Sequence, residues 1–180
     1  ALYRRGEAMA IPDGSTVFEA GDKLTVLGRE RSVRRLVNSF SRTPSRRDGG
    51  RKAMIVGGGV VGFTVAQGLV EEGWKVTLVE SNRARCEQIA PRLNALVIHG
   101  DGSDMTLLEE EQAENMSVLI AVTSKDEKNL LVSLMAKNLG VPRIVTRAVR
   151  LSNEKMFERL GIDVVMSAHG AAIRSVLRDV

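Results

Sequence analysis

Three glycines, Gly57, Gly59 and Gly62, stand between an apolar run, Ala53–Val56, and a stretch of helical spacing that ends at Gly73. A G-x-G-x-x-G placed between a strand and a helix narrows the possible folds sharply. The first glycine permits a tight turn, the second lets the backbone approach a pyrophosphate, and the third allows close helix–sheet packing. The amides of Val60 and Val61, at the start of that helix, would face the phosphates, and the helix dipole adds to the attraction. Glu80 closes the next apolar run, Val76–Val79, near the spacing of about 20 residues expected of a ribose-binding acid. A carboxylate there accepts hydrogen bonds from ribose hydroxyls and repels a 2′-phosphate. The motif therefore favours NAD(H) or another adenosine nucleotide over NADP(H).

The pattern around the motif is regular. Apolar runs recur at Ala53–Val56, Val76–Val79, Ala95–Ile98, Val118–Val122, Ile144–Val149 and Val164–Met166, with helix-length segments between them. Alternation of this kind predicts a parallel sheet with right-handed crossovers, a Rossmann-like doubly wound α/β domain. Gly73 and Gly140 stand where helices end, Gly140 closing the helix that starts near Asp126.

Further candidates sit where the other strands end. Asp101, in "HGDGSD", lies at the carboxyl end of the third run, where open α/β sheets bind ligands; a Gly-Asp-Gly turn explains it equally well. Asp104 reads as a helix cap and His99 as a locally bonded residue. In "AVTSKDEKNLL", Ser124 and Glu127 fit a capping box, and Thr123 lies at the mouth of the crevice. Arg83 and Arg85 follow the ribose acid, where an arginine can hold a phosphate, but each alone reads as a surface helix residue. No Tyr-x-x-x-Lys pair occurs and His169 is isolated, so no acid or base for hydride transfer is visible above the cradle.

Composition excludes several classes. Aromatic residues make up 3% of the 180, too few for the stacking platforms that single-stranded nucleic acid requires. One cysteine, Cys86, rules out an intrachain disulfide and a cysteine-rich zinc site. No apolar run approaches the roughly 20 residues of a membrane span, the first residues lack a signal-peptide core, and the expected location is the cytoplasm. The net charge of +4 is concentrated between Arg29 and Lys52, where nine basic residues face Glu30 and Asp48. That stretch reads as a solvated helix face, with Val33, Leu36, Val37 and Phe40 on its apolar side, running into a Pro/Gly-rich linker at 41–52. It carries no groove-reading motif, so no nucleic-acid partner is expected. Ahead of it, residues 1–28 read as short strands and turns, with a turn at "PDGS" and a strand from Lys23 to Leu27.

The ordered set "IVGGGVVG…VTLVE", "GDGSD…LLEE", "LIAVTSKDEKNLLVSLMAKNLG", "RIVTRAV" and "LGIDVVMS" resembles the RCK/KTN family of regulatory domains, in its TrkA-type, NAD-binding branch. "RRGEAMAIPDGSTVFEAGDKLTVLG" resembles the end of that family's small α+β C-terminal lobe. The resemblance implies residues 1–40 as an incomplete C-lobe, 41–52 as a linker and 53–180 as a Rossmann N-lobe. It thus implies a fragment spanning the junction of two tandem halves. By resemblance Gly57, Gly59 and Gly62 bind phosphates, Glu80 the adenosine ribose, and Asp101 and Thr123 the adenosine end. Arg83 falls near the ribose edge, and Arg147 faces the site or a neighbouring subunit. Ser167–Val180 resembles a crossover helix through which such lobes dimerise. The implied ligand is NAD(H), with ATP/ADP as the other candidate. The implied partner is a TrkH/TrkG-like potassium-translocating membrane subunit, gated allosterically by a homo-oligomer (a dimer that builds a ring) on the inner face of the plasma membrane. A fragment of an NAD-dependent oxidoreductase is the competing expectation.

Overall fold

The computed structural model describes residues 50–167 continuously, together with 2, 3, 13, 16–18, 23, 24, 26, 33 and 170. The chain forms two compact units, Ala1–Arg47 and Asp48–Val180.

In the first unit, β1 (Leu2–Tyr3) pairs antiparallel with β2 (Lys23–Leu24), Leu2 opposite Leu24 and Tyr3 opposite Lys23. Of the turn expected at "PDGS", only Asp13 is among the described residues. The Thr16 amide donates to the Asp13 carbonyl at 3.2 Å, and the Asp13 amide donates to the Thr16 hydroxyl at 2.9 Å. Val33 is helical, as expected; Leu36, Val37 and Phe40 lie outside the described residues.

In the second unit, six parallel strands run β3 (Lys52–Val56), β4 (Lys75–Glu80), β5 (Leu96–His99), β6 (Val118–Ala121), β7 (Ile144–Arg147) and β8 (Val164–Met166). Their order across the sheet is β5-β4-β3-β6-β7-β8. The order reverses between β3 and β6, the switch point at which doubly wound sheets open a crevice. β3 begins at Lys52, inside the stretch read as linker; residues 41–49 of that stretch lie outside the described residues.

The strands are apolar without alternation because both faces of the sheet are covered. Ala53, Ile55, Val118 and Ile120 pack on one face with Ala66 of α1 (Val60–Glu71) and Ile89 of α2 (Arg83–Ile89). Met54, Val56, Leu119 and Ala121 pack on the other. Their partners there are Leu108 of α3 (Met105–Glu110), Val132 and Ala136 of α4 (Asp126–Asn138), and Phe157 of α5 (Leu151–Arg159). Successive residues of one strand thus serve two cores, as the period of two requires.

The two helix ends read from the sequence are closed as expected. Gly73 and Gly140 take φ of 81° and 79°, and the next amides, Trp74 and Val141, reach back to the carbonyls of Leu69 and Ala136. Of the segment Ser167–Val180, only Ser167, buried, and Gly170, helical, are described. The apolar positions Ala171, Ala172, Val176 and Leu177 lie outside the described residues. No helix among the described residues is long and apolar enough to cross a membrane.

Candidate functional site

The loop between β3 and α1 is built by four glycines with different neighbours. Gly57 has φ of +111°, and a Cβ there would stand 3.0 Å from the Thr123 amide nitrogen; only glycine lets the two loops run side by side. A Cβ on Gly58 would meet the Ile89 side chain at 2.8 Å, and one on Gly62 would lie 1.8 Å from the Gly57 carbonyl oxygen. Gly59 differs from all three. Its φ is −64°, open to any residue, and beyond its own chain neighbours nothing lies within 4 Å of where its Cβ would be.

Gly59 is also the N-cap of α1, and no side chain caps that helix. The first amides of a helix have no partner within it. They stand here at the edge of a cleft of about 530 Å³ at the switch point, and the open Gly59 leaves them unshielded. Such a helix start fits an anion and pairs its charge with the positive end of the dipole. The expected residues Gly57, Gly59, Val60, Val61, Glu80, Thr123 and Arg147 all line this cleft, with Ser81, Gly100, Gly102, Ser124, Lys125 and Lys128. Val60 is 80% exposed although apolar. Gly62 sits behind the loop it supports.

Glu80 has a second task that its place in the motif did not reveal. Its carboxylate accepts from the Gly58 amide at 2.6 Å and the Asn82 amide at 2.8 Å. It therefore fixes the glycine loop as well as facing the cleft. A carboxylate offers about four lone-pair sites, so acceptor capacity remains for a hydroxyl arriving from the cleft. Beside it, Cys86 is buried and donates to the Glu80 carbonyl at 3.3 Å. Burial, and then the nearby Glu80 charge, push its thiol above the ordinary value.

The two arginines after Glu80, each read alone as a surface helix residue, differ in where they reach. Arg83 does not line the cleft: its side chain is 80% exposed and pairs with Glu87 at 3.2 Å. Arg85 instead reaches back, its Nε donating to the Gly58 carbonyl at 2.8 Å, and lies over the Phe63 ring at 5.8 Å. The cause is the cap. Asn82 accepts from the Arg85 amide, which sets the third helical residue, not the first, towards the loop.

Asp101 lies between two cleft glycines, but its carboxylate is already engaged. Lys128 donates to both of its oxygens at 2.9 Å, and the Ser103 amide and hydroxyl donate to one of them. The Lys128 ammonium and the Ser103 donors pull its carboxyl down to about 2. Asp104 caps α3 through the Thr106 amide, and His99 bonds the Ser81 carbonyl at 3.1 Å; both agree with the local readings.

The capping box expected of Ser124 and Glu127 does not form. The N-cap of α4 is Lys125, without a side-chain bond, and the polar work falls to two other residues of the same segment. Asp126, 6% exposed, accepts from the amides of Val149 and Arg150 and from Asn153 Nδ2. Asn129, 0% exposed, bonds Thr123 and Arg147. The sequence held a signal for both. Asp126, Asn129 and Ser133 share one helical face with the core residues Val132 and Ala136, and a polar residue on a buried stripe must be hydrogen-bonded.

The sequence profile of the TrkA-N domain family matches residues 53–168, and that of the TrkA-C domain matches residues 1–41. A Trk system potassium uptake protein TrkA homolog 2 from Methanosarcina mazei is 37% identical over 180 residues, 99% of this chain and 39% of that protein. The chain thus spans about two-fifths of the length of the relative. Among solved structures, the TrkA-N domain of inner membrane protein ybaL from Escherichia coli has 18% identity and a TM-score of 0.65, covering 73% of this chain and 97% of that one. The GsuK channel bound to NAD has 15% identity and a TM-score of 0.59, covering 73% and 25%. At these identities the two structures share the fold. The profile match reaches over more than half of the sequence and takes in every strand of the parallel sheet but the first residue of β3: the chain belongs to the TrkA-N domain family, with a TrkA-C match ahead of it.

Proposed function

We propose that this chain is a nucleotide-sensing regulatory module of a Trk-type potassium uptake system, and that it senses without catalysing. One observation carries the reading. Gly59 needs neither its conformation nor its lack of side chain for any contact inside the protein, and its bare backbone leaves the uncapped start of α1 open to what enters the cleft. In this reading a pyrophosphate lies against Gly57, Gly59, Val60 and Val61, with Gly62 supporting the loop, and an adenosine ribose lies on Glu80. Thr123 and Asp101 hold the adenosine end, and Arg147 faces the far side. Arg83, exposed outside the cleft lining, stays at the ribose edge, and Arg85 acts through the loop. NAD(H) and ATP/ADP both carry the required chemistry; NADP(H) brings a phosphate against Glu80.

The relative from Methanosarcina mazei is named for potassium uptake, and the GsuK channel was solved with NAD. The TrkA-C match over residues 1–41 and the TrkA-N match over 53–168 support reading residues 1–40 as a C-lobe end and 53–180 as an N-lobe. In this reading a homo-oligomer docks on a TrkH/TrkG-like membrane subunit at the cytoplasmic face. Regulation then follows from linkage. A nucleotide that binds two arrangements of the oligomer unequally shifts their populations and so biases the pore.

Calorimetric titration with NADH, NAD+, ATP, ADP and NADPH, repeated on Glu80→Gln, tests the reading. The expected result is binding of NAD(H) or ATP/ADP that weakens about tenfold in the variant, a loss of one charged hydrogen bond, with NADPH the poorer dinucleotide. A chain that binds none of the five is not a nucleotide sensor.

A further inference from the structure

Two segments from different parts of the chain form one wall of the proposed cleft: the loop after β6, with Thr123, and the end of β7, with Arg147. Strand pairing does not reach this level, since the β6–β7 register ends at Ala121 opposite Thr146. Among the described residues, one side chain joins them there. Asn129, on the first turns of α4, accepts at Oδ1 from the Thr123 amide at 2.8 Å and the Thr123 hydroxyl at 2.7 Å. Through Nδ2 it donates to the carbonyl oxygens of Thr123 at 3.1 Å and Arg147 at 2.9 Å.

A carboxamide has two donor hydrogens and an acceptor with two lone pairs, and here all four are used. Only one orientation of the amide satisfies two carbonyls on one side and an N–H with a hydroxyl on the other, so the network fixes it. The helix beneath is held in turn, because Ser133 bonds the Asn129 carbonyl at 2.7 Å and the Thr146 hydroxyl. Thr123 stands directly against the glycine loop, its amide nitrogen 3.0 Å from where a Cβ on Gly57 would be. A displacement of Thr123 is therefore felt directly at the phosphate cradle.

We infer that Asn129 is the positioning residue of the nucleotide cleft. It does not line the cleft, and it sets where the Thr123 loop and the Arg147 strand end stand relative to the Gly57–Gly59 loop. The inference rests on the reading of the cleft as a nucleotide site.

Asn129→Asp exchanges the amide for an acid of the same shape and provides the test. When ionised, the acid turns an oxygen towards the two carbonyls that Nδ2 now serves, and the two segments are driven apart. When protonated, it keeps one donor and restores the link. Burial and the facing carbonyls raise its pKa above the ordinary value of about 3.9. Dissociation constants for NAD+ and ADP are measured by calorimetry from mildly acidic to mildly alkaline pH, each as a ratio to the unsubstituted chain at the same pH. That ratio cancels any titration of the ligand. The ratio is expected to be about tenfold or more in alkaline solution, the cost of a lost buried hydrogen bond, and to fall towards one as the pH drops. A ratio that does not vary with pH overturns the inference, since a purely structural substitution has no reason to regain binding on protonation. If the unsubstituted chain binds neither NAD+ nor ADP, the nucleotide reading fails and takes the inference with it. Should Asn129→Asp fail to fold by circular dichroism, Asn129→Ser removes both amide donors without adding charge. A folded serine variant about tenfold weaker than the unsubstituted chain sustains the inference, and one within twofold overturns it.

Discussion

Alanine at Gly59 and alanine at Gly62 are chemically the same change three residues apart, and they should fail in opposite assays. At Gly62 the new methyl would lie 1.8 Å from the Gly57 carbonyl oxygen, 3.0 Å from the Gly57 carbonyl carbon and 3.2 Å from Val122 Cγ2. Two of these atoms are backbone, so α1 and the loop must separate. Overpacking of this kind costs about 1–3 kcal/mol, against which alanine recovers up to about 1 kcal/mol of helix propensity. A net loss of about 1–2 kcal/mol lowers the melting temperature of a unit this size by roughly 3–10 °C. At Gly59 the methyl meets nothing within 4 Å, and φ is −64°. Restricting the unfolded chain stabilises by about 0.4–1 kcal/mol, and giving up glycine for alanine at an N-cap costs a similar amount, about 0.5–1 kcal/mol. The terms cancel, and melting should shift by no more than about 2 °C. Binding should respond instead. A phosphate held off the helix start forfeits at least one charged hydrogen bond of about 1.5–3 kcal/mol, which weakens nucleotide affinity about 10- to 100-fold. Thermal melting and calorimetry on the two variants check both limbs. If Gly59→Ala binds as tightly as the unsubstituted chain, the cleft does not seat its ligand against α1. If Gly59→Ala melts as early as Gly62→Ala, the space beside Gly59 is not open.

Two further outcomes follow from the buried and exposed carboxylates. Burial, the largest influence on Asp126, pushes its carboxyl up, but the Val149 and Arg150 amides and Asn153 together outweigh it and hold it below the ordinary value. Its contribution is therefore present above the unfolded-state pKa and lost as the pH falls below it. Asp126→Ala, which strands both loop amides, should cost about 2–4 kcal/mol by urea denaturation at neutral pH, and an unchanged midpoint would contradict the clamp. Asp101, held at about 2 against the ordinary 3.8, contributes fully above the higher value and loses its contribution between the two as the pH falls. Its side chain is 53% exposed, so solvent screening limits the Lys128 pair to under about 1 kcal/mol. Lys128→Met should reduce this acid-labile part, leaving the share held by the Ser103 donors, and the difference from the unsubstituted chain should shrink in high salt; a difference indifferent to both pH and salt would show that the pair is not its source.

Much of the second unit was legible without coordinates because its signals are local. Strand, glycine turn and helix follow one another within a single β-α-β pass. The continuous apolar runs Ala53–Val56 and Val118–Ala121, buried on both faces, the C′ glycines and the Asp104 cap all depend on neighbours a few residues away. The switch point also follows from connection rules, since right-handed crossovers leave few strand orders open.

What escaped the sequence was the choice between neighbouring residues for contacts made at long range. Arg85 rather than Arg83 reaches the glycine loop, 27 residues away, because the Asn82 cap fixes the rotation of α2. Glu80 serves the Gly58 amide as well as the cleft. In the segment Ser124–Asn129 the sequence suggested a local box, while the structure uses Asp126 and Asn129 to bind segments 18 to 27 residues on. Sequence alone therefore determined the sheet, the glycine cradle and the acid opposite it, since these are set by chirality, period and backbone sterics. Tertiary structure decided which polar side chains hold the cradle's walls in place. A buried donor or acceptor must find its partner wherever the fold presents one, and no spacing rule along the chain encodes that distance.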